Sequence, residues 1–161
     1  MINQLIQVIS QEAVLFEEFL DLLDRQKTML VKNDVAGISR VTEQQREKIR
    51  ESQRLNRVRE DLLARIKEAR SFDGDMTVAR LAELADDNQA ERLLKLREII
   101  LSLDVRINEV RDSNALLLNQ SREFISRTMV MLSRINNPEA TYGRGGQHPD
   151  GPSTVMVDRR I

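Results

Sequence analysis

Few side chains in this 161-residue sequence are suited to covalent or acid–base chemistry. There is no Cys, and the single His, His148, lies near the C-terminus. Disulfides, thiolate nucleophiles and Cys-ligated zinc are therefore excluded, and a His-containing catalytic pair inside a folded core is not expected. Asp73-Gly74-Asp75 sets two acids around a glycine. The Asp-x-Asp-x-Asp-Gly order and distal Glu of a calcium loop are missing, so the segment reads as a turn. Gly143-Arg144-Gly145-Gly146 is no phosphate loop, because no strand precedes it and no Gly-Lys-Ser/Thr opens a helix. Neither paired carboxylates nor a metal constellation emerges. The expectation is a protein that is not an enzyme and uses no metal or cofactor.

What stands out instead are residues suited to binding. Asn114, Ser121 and Thr128 sit on an otherwise apolar helical seam. One reading is register, since a polar residue on a seam penalises slipped pairings. The other is a seam that its own bundle does not fully seal, leaving a groove for a partner helix. Tyr142, the only Tyr, lies in a Gly-rich stretch where it cannot serve a core. It is either an inert exposed ring or the aromatic anchor of a short docking motif.

The elements that must position these residues are helices. All three Pro and four of the six Gly fall in the last 24 residues, and Met1 to Asn137 holds only Gly37 and Gly74. A stretch that long without Pro, rich in Leu, Arg, Glu and Gln, reads as helix almost throughout. With 3% aromatic residues, the core is expected to be a thin set of aliphatic seams. In the first segment Ile2, Ile9, Phe16, Leu23 and Leu30 recur every seven residues, with Leu5, Ala13 and Phe19/Leu20 between them. Glu17, Glu18, Asp21 and Asp24 lie off this stripe. Asn33-Asp34 interrupts it; Asp34 either caps a new helix or marks a kink.

A second helix is expected over about Val35 to Arg70, with Ile38, Val41, Ile49, Leu55, Val58, Leu62, Ile66 and Ala69 as its apolar positions. From Arg40 to Arg70 there are ten Lys/Arg against six Asp/Glu. A solvated face with opposite charges three or four apart, as around Glu43, Glu47 and Arg50, accounts for this better than a nucleic-acid surface. No aromatics interleave to stack on bases, and the whole chain carries a formal charge of −1. After a turn at Ser71–Asp75, a short helix is expected over roughly Thr77 to Ala85. Six acids against Arg80 between Ser71 and Glu91 either face the basic segment or face water.

The last helix has the strongest pattern. Leu93, Ile100, Ile107, Asn114, Ser121, Thr128 and Ile135 recur every seven residues, and Leu96, Leu103, Val110, Leu117, Phe124 and Met131 fill the half-step. A seam sustained for that many heptads predicts a helix of about 70 Å. Leu94, Ile99, Leu101, Leu116, Leu118, Ile125, Val130 and Leu132 widen the stripe, so more than one helix is expected to cover it. Asn136-Asn137-Pro138 stops it. The fold class is thus all-α: an elongated antiparallel helical hairpin or bundle over 1–137, a long C-terminal heptad helix, and a disordered tail over 138–161. The tail still carries Tyr142-Gly143 and an apolar and basic tip of Val155, Met156, Val157, Arg159, Arg160 and Ile161. No signal or membrane-spanning segment is evident, as Gln7, Gln11 and Glu12 interrupt the apolar start. A cytoplasmic location is expected.

The helical hairpin leading into Asn108-Glu109-Val110-Arg111-Asp112-Ser113-Asn114-Ala115-Leu116-Leu117-Leu118, then a further apolar helix, Pro138, Tyr142-Gly143 and a basic tip, resembles the FlgN family of flagellar export chaperones. The resemblance covers most of the chain and is most specific at Asn108, Asn114, Leu117 and the Tyr142-Gly143 segment. It implies a cytoplasmic chaperone that keeps hook–filament junction proteins (hook-associated proteins) soluble and delivers them to the cytoplasmic domain of the flagellar type III export gate. By it, the C-terminal half of the last helix and the tail are expected to bind client, and Tyr142 with Gly143 to dock at the gate. The polar-punctuated, over-wide stripe itself points to Asn114, Leu117, Ser121, Phe124, Thr128, Met131 and Ile135 as the client-binding residues. No nucleic acid or membrane insertion is implied, and a homo-oligomer is left open. The rival reading is a structural coiled-coil adaptor whose long seam serves self-association.

Overall fold

The structure is a computed structural model that describes residues 1–72 and 74–136, with side chains through Ser133. Four helices follow in order: α1 (Ile2–Lys32), α2 (Val35–Arg70), α3 (Val78–Leu84) and α4 (Asp87–Asn136). All-α is the fold class expected from the sequence. The chain divides into two units, Met1–Arg122 and Glu123–Ile161. The boundary expected at Pro138, and the tail with Tyr142, Gly143 and the basic tip, lie at or outside the limit of the described residues.

The break between α1 and α2 falls at the interruption seen in the sequence. Asn33 takes the left-handed conformation (φ 53°, ψ 33°), and its N–H donates to the Leu30 carbonyl. The next N–H, of Asp34, donates to the Met29 carbonyl at 3.0 Å. These two bonds close the end of α1 as a Schellman motif. Asp34 then caps α2, its Oδ1 accepting from the Gly37 N–H at 2.9 Å. Glycine leaves room for this cap: a Cβ on Gly37 would meet the Asp34 carboxylate and lie 2.7 Å from the Met29 sulfur, so those side chains would have to shift. The two helices are therefore separate and fold back on each other.

Side-chain pairs set the directions. Glu12 meets Arg59, Glu18 meets Lys48, and Gln26 meets Gln45, so α1 and α2 run antiparallel. Asn3 meets Gln89 and Gln26 meets Asn114, so α4 runs alongside α1 in the same direction. α2 ends on Ser71, also left-handed (φ 48°), with the same pair of terminal bonds. Thr77 caps α3, as its side chain accepts from the Arg80 N–H. α4 opens on a reciprocal cap: Asp86 Oδ1 accepts from the Gln89 N–H at 2.9 Å, and Gln89 Oε1 accepts from the Asp86 N–H.

The core is aliphatic and small. Leu5, Ile6, Ile9, Ile66, Leu81 and Leu93 form one buried cluster that joins the start of α1, the end of α2, α3 and the start of α4. The acids of α1 named above face water, as expected. No ion pair among the described residues joins the acidic stretch before α4 to α2: Arg80 pairs with Glu83 within α3, and Asp86 is spent on the cap.

Candidate functional site

The apolar stripe of α4 changes its surroundings along its length. Leu93 and Leu103 are buried, and Leu96, Ile100, Ile107 and Val110 are half-buried against the other helices. Leu117 and Ser121 are half-buried. From Arg122 to Ser133 every side chain is exposed, including Phe124 at 72% and Met131 at 67%. The residues that widen the stripe follow suit. Leu94, Leu101, Leu116, Leu118, Ile125, Val130 and Leu132 are all exposed. The expected cover by more than one helix is found at Leu93, Leu96 and Ile100, which pack with residues of α1, α2 and α3, and not from Arg122 to Ser133 among the described residues. The pattern correctly marks an apolar face, but the number of helices available to cover it is fixed elsewhere in the sequence.

Asn114 sits where covering ends. It is 5% exposed, and its Nδ2 donates to the Leu23 carbonyl at 2.8 Å and to Gln26 Oε1 at 3.1 Å. Gln26 Nε2 in turn donates to Gln45 Oε1 at 3.2 Å. One polar layer thus links α1, α2 and α4. Asn114 Oδ1 and Gln45 Nε2 are buried with no hydrogen-bond partner in the structure. The bonds from Asn114 to Leu23 and Gln26 hold α4 at one register against α1. For Asn114 the structure therefore supports the register reading, its amide being taken up by α1.

The other expected site residues divide as follows. Thr128 is exposed and its hydroxyl donates to the Phe124 carbonyl at 2.9 Å, a local bond within the helix. Ile135 belongs to α4, but its side chain is outside the described residues. Tyr142 and Gly143 are outside them altogether. Leu117, in the first unit, is half-buried, and Phe124 and Met131, in the second, are exposed.

Sequence reading missed how far the basic segment of α2 is committed to α1. Arg59 donates to Glu12 Oε1 at 3.0 Å, and Glu12 is buried. Lys48 lies 2.6 Å from Glu18 and 3.2 Å from Glu51. The hydrogen bond that Lys48 donates to Glu18, then the one it donates to Glu51, raises its pKa above the ordinary value. The Glu12–Arg59 and Glu18–Lys48 pairs join residues tens of positions apart, and only a known fold-back point would have predicted them. The expected local pairing is also present: Glu43 takes both Arg46 and Arg50.

The model of the FlgN protein family matches residues 1–150. The chain belongs to the FlgN family. The resemblance read from the Asn108–Leu118 stretch and Tyr142-Gly143 is thereby borne out. The family is one of flagellar export chaperones rather than enzymes, and it gives this chain that general role. Comparison with curated proteins and with solved structures gives no match. Among the described residues no helix is long and apolar enough to cross a membrane.

Proposed function

We propose that this FlgN-family chain is a cytoplasmic chaperone for hook–filament junction proteins, which it binds through amphipathic helical segments and delivers to the flagellar type III export gate. The client lies along α4, on Leu117, Ser121, Phe124, Thr128, Met131 and Ile135. Asn114 forms the inner edge of this surface, since its amide is engaged by α1. The observation that carries the reading is the exposure of Phe124 and Met131 on an otherwise regular heptad stripe. Contiguous apolar surface left in water marks an interaction site. Burying those two side chains under a partner helix gains on the order of 4 kcal/mol before the costs of association. A helix-in-groove mode, with anchors repeating every three or four residues, fits this row.

Tyr142 and Gly143 are proposed to dock at the export gate. The support is the family match over 1–150, together with a lone aromatic in a Gly-rich stretch. The test is a calorimetric titration of the full chain with a purified hook–filament junction protein from the same organism. Saturable binding that Phe124→Asp and Met131→Asp abolish, with helicity unchanged, supports the surface; unchanged binding removes it. For the gate, Tyr142→Ala should weaken binding to the gate's cytoplasmic domain and leave client affinity as it was. The same exposed row also suits a coiled-coil adaptor, which predicts instead a stable homo-oligomer at micromolar concentration that Phe124→Asp dissociates.

A further inference from the structure

A second surface lies within the unit Met1–Arg122 and owes nothing to the far end of α4. Between α2 and α4, over the Phe16 ring of α1, two adjoining clefts form a channel. One, of about 230 Å³, is lined by Leu15, Phe16, Phe19, Ile49 and Ile107, with Lys48 and Asp104 beside them. The other, of about 410 Å³, shares Phe16, Ser52 and Gln53 with the first and continues towards Ile100 and Arg97. Phe16, Phe19 and Ile107 are only half-buried, and Ile49 is exposed. An apolar floor between two helices, open to water, has the form of a helix-binding groove.

The charges around it say what kind of helix. Lys48 and Arg59 are committed to acids of this chain. Arg97 and Asp104 are exposed and have no ion-pair partner among the described residues. They stand two helical turns apart on α4, about 10.5 Å. On the α2 side, Arg50 and Arg57 lie three before and four after the channel residue Gln53, which places them next to it on the helix surface. With Arg46 and Arg54 they occupy about a quarter of the helix circumference. Glu43 is the only acid that engages this row among the described residues, and it reaches only Arg46 and Arg50.

We propose that this channel docks one amphipathic helix of another protein, whose apolar stripe lies on Phe16, Ile49 and Ile107 and whose flank towards α2 is acidic. Its other flank carries an acid facing Arg97 and, two turns away, a base facing Asp104. This assignment goes beyond the client surface and does not depend on it. The apolar floor disfavours a nucleic acid, whose phosphates would be desolvated there without cations beneath them.

The probe is a synthetic helix-forming peptide of about 20 residues, roughly the length of six turns. It has Leu at seam positions, Glu along one flank, and the Glu and Lys pair two turns apart on the other. A control peptide carries Lys for every flank Glu. Titrated into the full chain, the Glu-flanked peptide should bind saturably and at least tenfold more tightly than the control. Ile49→Glu should abolish that binding, the milder Ile49→Ser should weaken it, and Arg57→Glu with Arg97→Glu should reverse the peptide preference. Phe124→Asp, at the client surface, should leave it unchanged, so failure here is distinguishable from failure of the client reading. Equal affinity for the two peptides, no binding of the Glu-flanked one, or loss of binding in Phe124→Asp would each overturn the proposal. So would a dimer, seen by sedimentation, that Ile49→Ser dissociates, because the occupant would then be a second copy.

Discussion

Leu23 in α1 and Phe124 in α4 both stand on seven-residue seams, yet the first is 4% exposed and the second 72%. The same periodicity that buries α1 between α2 and α4 leaves the last described turns of α4 in water. In α1 the stripe meets partners supplied by the chain: Ile66 from α2, Leu81 from α3 and Leu93 from α4. For α4 beyond Ser121 the described residues supply none. A heptad stripe therefore reports that a helix has something to bury, and only the count of available partners reports whether folding or binding buries it.

The largest expected effect breaks this comparison most bluntly. Leu5→Ala or Leu93→Ala removes a side chain from the buried cluster and should cost about 3 kcal/mol in urea unfolding. Phe124→Ala, which removes more heavy atoms, and Met131→Ala, which removes as many, should each change stability by less than about 0.5 kcal/mol. Comparable losses in the two regions would mean that the α4 row is covered in solution.

A smaller contrast compares ion pairs. Arg59→Met leaves the Glu12 carboxylate buried and without its cation, and should destabilise by about 2 kcal/mol. Arg127→Met breaks an exposed pair with Glu123 and should alter stability by less than about 0.5 kcal/mol. Equal effects would show that the Glu12–Arg59 contact is as solvated as the surface one.

The smallest effect depends on pH. The pKa of Lys48 is raised in the fold by Glu18 and Glu51. Its contribution is therefore complete below the unfolded lysine value of about 10.4, and is lost as pH rises through the still higher folded value. Lys48→Met should be slightly less stable than the parent at pH 8, and the difference should shrink above pH 10.4. A difference that grows with pH would contradict the pairing.

Helix boundaries were the most legible part of this molecule, because local chemistry fixes them. The ends of α2 at Val35 and Arg70 follow from Asp34 as cap and from the turn at Ser71, and α3 from Thr77. The start of α4 at Asp87 was less evident, since the heptads begin only at Leu93; the Asp86–Gln89 capping pair was the signal that could have found it. The continuity of α1 and α2 was undecidable from periodicity alone, as a kinked and a broken helix share the same stripe. Asn114 was recognised as special, but its bonds to Leu23 and Gln26 depend on how α4 lies along α1. The channel over Phe16 was invisible for the same reason: its lining comes from three helices, and no one stretch of sequence carries its pattern.

The central claim is that the exposed row of α4 is where the client is held. Hydrogen–deuterium exchange of the full chain, with and without a saturating hook–filament junction protein, tests it most directly. The account predicts new protection in α4 from Leu117 onward, with α1 and the Leu5–Leu93 cluster unchanged. Protection confined to α1 and α2, with the Phe124 and Met131 region exchanging as in the free protein, would contradict it.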